Sequence, residues 1–266
     1  MNKGKIKDFI LATKDEIVNV TVDSETISEI VNNIGETVVS EGTAVIIGEI
    51  VGAIAPRING IRLSYKQNRF ERNVKQALEV ICKRIQTLEL NYSLLDKEIQ
   101  EKFSTEYLEW LLDNLYDEKQ KEKIPYHVNG YINLMSNEAN DNLMLMFFDT
   151  MNELTQLDIE VFNLYSIHSQ DNIWALCKRY NLTPEQTNVI EEKLARLGLL
   201  ESRNDEQRDK NLDYIVEYLE AQDKDSKKKK PSGVNFPKTK IKSIKRFESY
   251  SITQLGNGYL KVVSNN

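Results

Sequence analysis

Between residues 64 and 91, apolar side chains recur at every third or fourth position: Phe70, Val74, Ala77, Leu78, Ile81, Ile85 and Leu88. That spacing draws one stripe down a helix of 3.6 residues per turn, so a single long helix with one core-facing side is predicted. The interleaved Lys66, Arg69, Arg72, Lys75, Lys83 and Arg84 are diluted by Glu71, Glu79 and Glu89 and read as a solvated face rather than a basic binding surface. A second helical block is predicted over residues 95–151, opening at Ser104 and again near Tyr126, where Pro125 suits a first turn. Tyr107, Leu108, Trp110, Leu111, Leu112, Leu115 and Tyr116 supply its core, joined by Tyr131, Ile132, Leu134 and Met135. The run LMLMFF at 143–148 is predicted to be a helix buried on most sides. Residues 5–40, with Ile27, Ile30, Val31 and Ile34, predict one or two further helices.

The most apolar stretch is GTAVIIGEIVGAIA, residues 42–55, closed by Pro56. At about 14 residues with Glu49 at its centre it falls short of the roughly 20 apolar residues a bilayer span requires. Ala44, Gly48 and Gly52 repeat at every fourth position, placing three small side chains on one helix face where another backbone can come close. Two readings stay open: a tight crossing within the chain, and self-association through this ridge. A third use is conditional insertion into a membrane, with Glu49 sheltered inside an oligomer.

After Thr155 the pattern tightens into three short helices, about 157–165, 171–180 and 184–197. Asp171 is the predicted cap of the second; Thr183, Pro184 and Gln186 form a capping box with proline at the first helical position of the third. Gly198 should terminate it, with Leu199 as the accompanying hydrophobic contact. A β-prone segment follows at Tyr250, Ile252, Leu255, Gly256, Tyr259, Leu260 and Val262. The fold class read from these patterns is mainly α: a helical body over 1–152 and, over 153–266, a winged-helix-like domain of helices with a small β component. LARLGLLES and YSITQLGNGYLKVV resemble phrases of winged-helix proteins, in which the first ends a helix and precedes one strand and the second forms the next strand, leading into a final helix. An insertion over 205–240, with a predicted helix at 211–221, replaces the usual short wing.

Charge divides the chain unevenly. Residues 223–266 hold eleven Lys and Arg against three Asp and Glu, whereas residues 1–222 hold 24 against 38. An acidic body repels polyanions, so nucleic acid or anionic membrane could be met only through the basic region 224–246. The candidate contacts there are Lys227, Lys228, Lys229, Lys230, Lys240, Lys242, Lys245 and Arg246. Helix 184–197, which a helix-turn-helix reader would lay in the major groove, carries Glu185, Glu191 and Glu192 against Lys193 and Arg196 and is not basic.

Glycine-loop, G-x-S-x-G and H-E-x-x-H signatures are absent from the sequence. Cys82, Cys177, His127 and His168 lack ligand spacing, so neither metal nor cofactor is expected. Acid pairs such as Asp117 and Glu118 read as exposed helix faces. Asp8, Lys14, Asp15 and Glu16 interrupt any apolar leader, which gives the expectation of a cytoplasmic protein, at most peripheral to the inner face of the cell membrane.

The glycine-rich helix ending in PRINGI, the KQNRFERNV helix, the tryptophan-bearing helical pair and LTQLDIEVFNLY leading into the last domain form an order that resembles the abortive-infection alpha family. The resemblance spans roughly residues 35–200 and implies a bacterial or prophage protein linked to phage resistance. It brings no catalytic motif, and the lysine-bearing insertion departs from the short connection expected. The resulting expectation is a non-enzymatic interaction protein, a homo-oligomer or one with a protein partner. A membrane-active effector or a nucleic-acid-binding regulator is the alternative.

Overall fold

The computed structural model describes residues 48, 50, 52–54, 57, 64–136, 139–166, 172–244 and 248–264. Among them are eleven α-helices and one two-stranded sheet, so the chain is mainly helical. It divides into two compact units, one of residues 1–157 with 259–266 and the other of residues 158–258.

In the first unit, α1 (Ser64–Lys83) packs on α4 (Glu106–Asp117) and α5 (Ile124–Asn133). The sequence stripe is its core-facing side: Phe70, Val74, Ala77, Leu78 and Ile81 are all buried. The single helix expected over 64–91 is instead two, α1 and α2 (Ile85–Ser93), which meet at Arg84 with φ −111° and ψ 17°. The cause is tertiary. Arg84 donates to Asn129 Oδ1 at 2.9 Å and Asn133 Oδ1 at 2.7 Å on α5, and the stripe continues through the buried Ile85 and Leu88.

Ser104 does not open a helix; it closes α3 (Lys97–Ser104). Its hydroxyl and that of Thr105 both donate back to Glu101 O, which leaves neither to cap the next helix, and α4 begins at Glu106. A 3₁₀ turn, Lys121–Lys123, then leads into α5, where proline sits in the first turn as expected. Helix α6 (Asp141–Glu153) corrects the reading of LMLMFF. Met144, Phe147 and Phe148 are buried, but Leu143, Leu145 and Met146 are 40–44% exposed, so only one side is covered.

The second unit opens with α7 (Gln156–Asn163), α8 (Ile173–Tyr180) and α9 (Pro184–Arg196), the first of which begins at the boundary between the units. Thr183 Oγ1 accepts from Gln186 N while Gln186 returns a bond to Thr183 N, the capping box read from sequence. Helix α9 ends in the six-to-one closure of a Schellman motif: Leu199 N donates to Leu194 O at 3.0 Å and Gly198 N to Ala195 O at 2.9 Å. Gly198 takes φ +74°, a conformation that strains any residue with a Cβ. Asp171 lies outside the described residues; Asn172 caps α8 by accepting from Ala175 N.

Strand β1 (Leu200–Ser202) pairs antiparallel with β2 (Tyr250–Ile252), Leu200 opposite Ile252. Between them runs α10, Arg203–Ser226, more than twice the length predicted because Ser202 caps it directly at the end of the strand. The β-prone reading of residues 255–262 is overturned. Thr253 Oγ1 accepts from Gly256 N and so starts α11 (Gln254–Val263) immediately after β2.

Candidate functional site

Three features of this architecture are places where function could reside. The first is a cavity of about 690 Å³ in the first unit, lined among others by Asp113, Asp117, Glu118, Lys123, Glu153 and Thr155. In its wall lies a buried ionic group that the sequence reading missed. Glu118, placed on an exposed face by the pattern, is only 8% exposed; Lys123 Nζ meets its Oε2 at 2.6 Å and His127 Nε2 lies 3.2 Å from the same oxygen. Gln120 N donates to Oε1 at 2.8 Å, and Asn73 of α1 donates to the carbonyls of Leu115 and Glu118, each at 2.8 Å.

Burial alone would raise the Glu118 carboxyl, but His127, Lys123 and the Gln120 amide together hold it at about 2. Burial lowers His127, more than the carboxylate beside it raises it, and its Nδ1 has no partner. That shift favours the neutral imidazole, which is sealed at 0% exposure and stands behind Glu118 rather than in the cavity lining. The group fastens the α4–α5 turn to α1. Such a group has no periodic signature: Glu118, Lys123 and His127 face one another only because a 3₁₀ turn reverses the chain between them.

The second feature is the basic segment after α10, which is not a loose tail. Asp225, only 4% exposed, accepts from Lys228 Nζ at 2.9 Å, from Ser232 N and Oγ at 2.9 and 3.1 Å, and from Gly233 N at 2.7 Å. Lys228 and the Gly233 amide, with Ser232, hold its carboxyl at about 2. The chain then returns along α10: Phe236 stands edge-on to Tyr218, Lys240 Nζ lies 5.2 Å over the Tyr214 ring, and Asn211 exchanges two hydrogen bonds with the Lys242 backbone.

Of the polyanion candidates, Lys227 and Lys228 are engaged with Asp223 and Asp225. Lys229, Lys230, Lys238 and Lys242 are exposed and meet no carboxylate among the described residues. Lys245 and Arg246 lie outside the described residues.

The third feature is the outward side of α9. Glu191 turns inward to accept from the Tyr165 hydroxyl, and Lys193 is held by Asp158 at 2.6 Å. Glu185, Gln186, Glu192, Arg196 and a 63% exposed Val189 are left facing solvent.

Of the small-residue ridge, Ala44 and Glu49 lie outside the described residues. Gly48 is helical and buried, whereas Gly52 is helical and exposed, with nothing within 4 Å of where a Cβ would stand. Ile50 and Ile54 are buried as well. No helix of the described residues is long and apolar enough to cross a membrane, and no group of three or more His, Cys, Asp or Glu among them could hold a metal ion. Cys82 and Cys177 are free thiols. No family model, curated protein or solved structure matches the chain.

Proposed function

We propose that this chain is a non-enzymatic interaction protein whose second unit is a winged helix that engages a protein partner, in the phage-resistance setting its family resemblance implies. The winged-helix reading is supported by the order of α7, α8 and α9, then an antiparallel strand pair, then the start of α11, whose residues from 259 onward belong to the first unit, with α10 and its basic return segment in the place of a wing. One observation carries the choice of partner. The helix that would lie in a major groove presents Glu185, Val189, Glu192 and Arg196 to solvent, a face whose two acids outnumber its one base and whose valine offers an apolar anchor to another protein.

The test is phage plating on a bacterial host expressing the chain, across a panel of phages. The full chain is expected to reduce plaque number for at least one phage, and Val189→Asp to abolish the reduction while circular dichroism and protein level stay unchanged. Protection by Val189→Asp equal to that of the parent would exclude the α9 face; no protection against any phage would exclude the setting.

A second reading is favoured by the exposed Lys229, Lys230, Lys238 and Lys242, which meet no carboxylate among the described residues and stand on the segment that the Asp225 turn and the contacts to Tyr218, Tyr214 and Asn211 hold along α10. They could neutralise nucleic-acid phosphates without reading bases.

A further inference from the structure

Helix α10 has two faces. One belongs to its own unit: Asn211, Tyr214 and Tyr218 hold the returning segment at Lys242, Lys240 and Phe236. The other is bare, with Leu212 57% exposed, Val216 53% and Leu219 55%. Spacings of four and three put those three side chains on one line down the helix, with Ile215 half-buried at its edge. An apolar line about two turns long on a helix otherwise rich in charge is unusual for a surface with no occupant.

The line is also a palindrome in position and in chemistry. Arg208 stands four residues before Leu212, Asp223 four residues after Leu219, and the midpoint falls between Ile215 and Val216. We infer that α10 pairs with α10 of a second copy, antiparallel, about a two-fold axis at Ile215–Val216.

In that arrangement each Leu212 meets the other copy's Leu219, and each Arg208 meets the other copy's Asp223, so every contact occurs twice with opposite charges opposed. Parallel pairing in register would set Arg208 against Arg208 and bring the two 227–230 lysine runs together. Arg208 is now turned to Asp205 and Asp223 to Lys227, both exposed pairs within one helix. Such pairs contribute little and yield readily to a better partner.

This extends the reading of the chain as an interaction protein, but its test reads molecular mass and stands whether or not α9 has a partner. The full chain should be examined by sedimentation velocity up to about 200 μM, well above the micromolar dissociation constant suited to an interface this small. A concentration-dependent dimer is expected, with Leu212→Glu/Leu219→Glu monomeric throughout. Arg208→Asp should raise the dissociation constant at least about tenfold, because it sets like charges opposite one another twice, and Arg208→Asp/Asp223→Arg should restore it. A parent chain monomeric at the highest concentration would overturn the inference, as would a dimer indifferent to Leu212→Glu/Leu219→Glu. Failure of the charge swap to restore pairing would overturn the antiparallel register.

Discussion

At the scale of single residues, the strongest commitment in the first unit is Glu118. Removing one member of a buried ion pair leaves the other charge uncompensated, which costs about 3–5 kcal/mol. Glu118→Gln, which strands Lys123 Nζ in a site 3% exposed, should destabilise the chain by that order, measured by urea unfolding. The same residues set the acid limit. Unfolded, Glu118 takes up its proton near its ordinary 4.5; folded, only near about 2. Its contribution is thus whole above pH 4.5 and vanishes as pH falls toward 2.

His127 acts in the same direction, because the unfolded imidazole gains a proton near 6.5 while the buried one resists it. Stability should decline steadily as pH drops below about 6.5, and Glu118→Gln should flatten the part below 4.5. A urea midpoint independent of pH between 6.5 and 3 would remove this picture.

Glycines separate the elements that are closely packed from those that are not. A Cβ on Gly130 of α5 would stand 1.9 Å from the Phe147 ring of α6, so the two helices approach as closely as they do only because that position has no side chain. Gly130→Ala should cost about 1–3 kcal/mol through overpacking, and Phe147→Leu in the same chain should recover part of it. At Gly52 the added methyl meets open space, so Gly52→Ala should be neutral or stabilise by up to about 1 kcal/mol through helix propensity. Thermal midpoints of the two variants that moved together would contradict the contrast.

Elements governed by local chemistry were legible in the sequence. The Thr183–Gln186 box and the Gly198 terminus need only their own neighbours, and the stripe from Phe70 to Leu88 needs only periodicity. The break at Arg84 was not legible, because its partners Asn129 and Asn133 are more than forty residues away. The helix at 254–263 was legible only through the winged-helix phrase, whose strand leads into a final helix; its own side chains are β-prone and are overridden by a threonine cap. The Asp225 turn left one trace: an acid shortly before a Ser-Gly pair, with lysines between.

For the whole molecule, the uneven charge decides what each part can approach. Any nucleic-acid contact through the lysine segment should be indifferent to sequence and strongly weakened by salt. Replacing Lys229, Lys230, Lys238 and Lys242 by Gln should lower the slope of log affinity against log salt by about 3 to 4. An unchanged slope would put the contact elsewhere.

The choice between protein and nucleic acid at α9 is tested most directly by replacing Val189 with a photo-crosslinking residue in cells under phage challenge, with the same residue at Lys229 for comparison. A protein adduct formed from position 189 is the expected result. Adducts to nucleic acid from position 229, with none to protein from position 189, would contradict it.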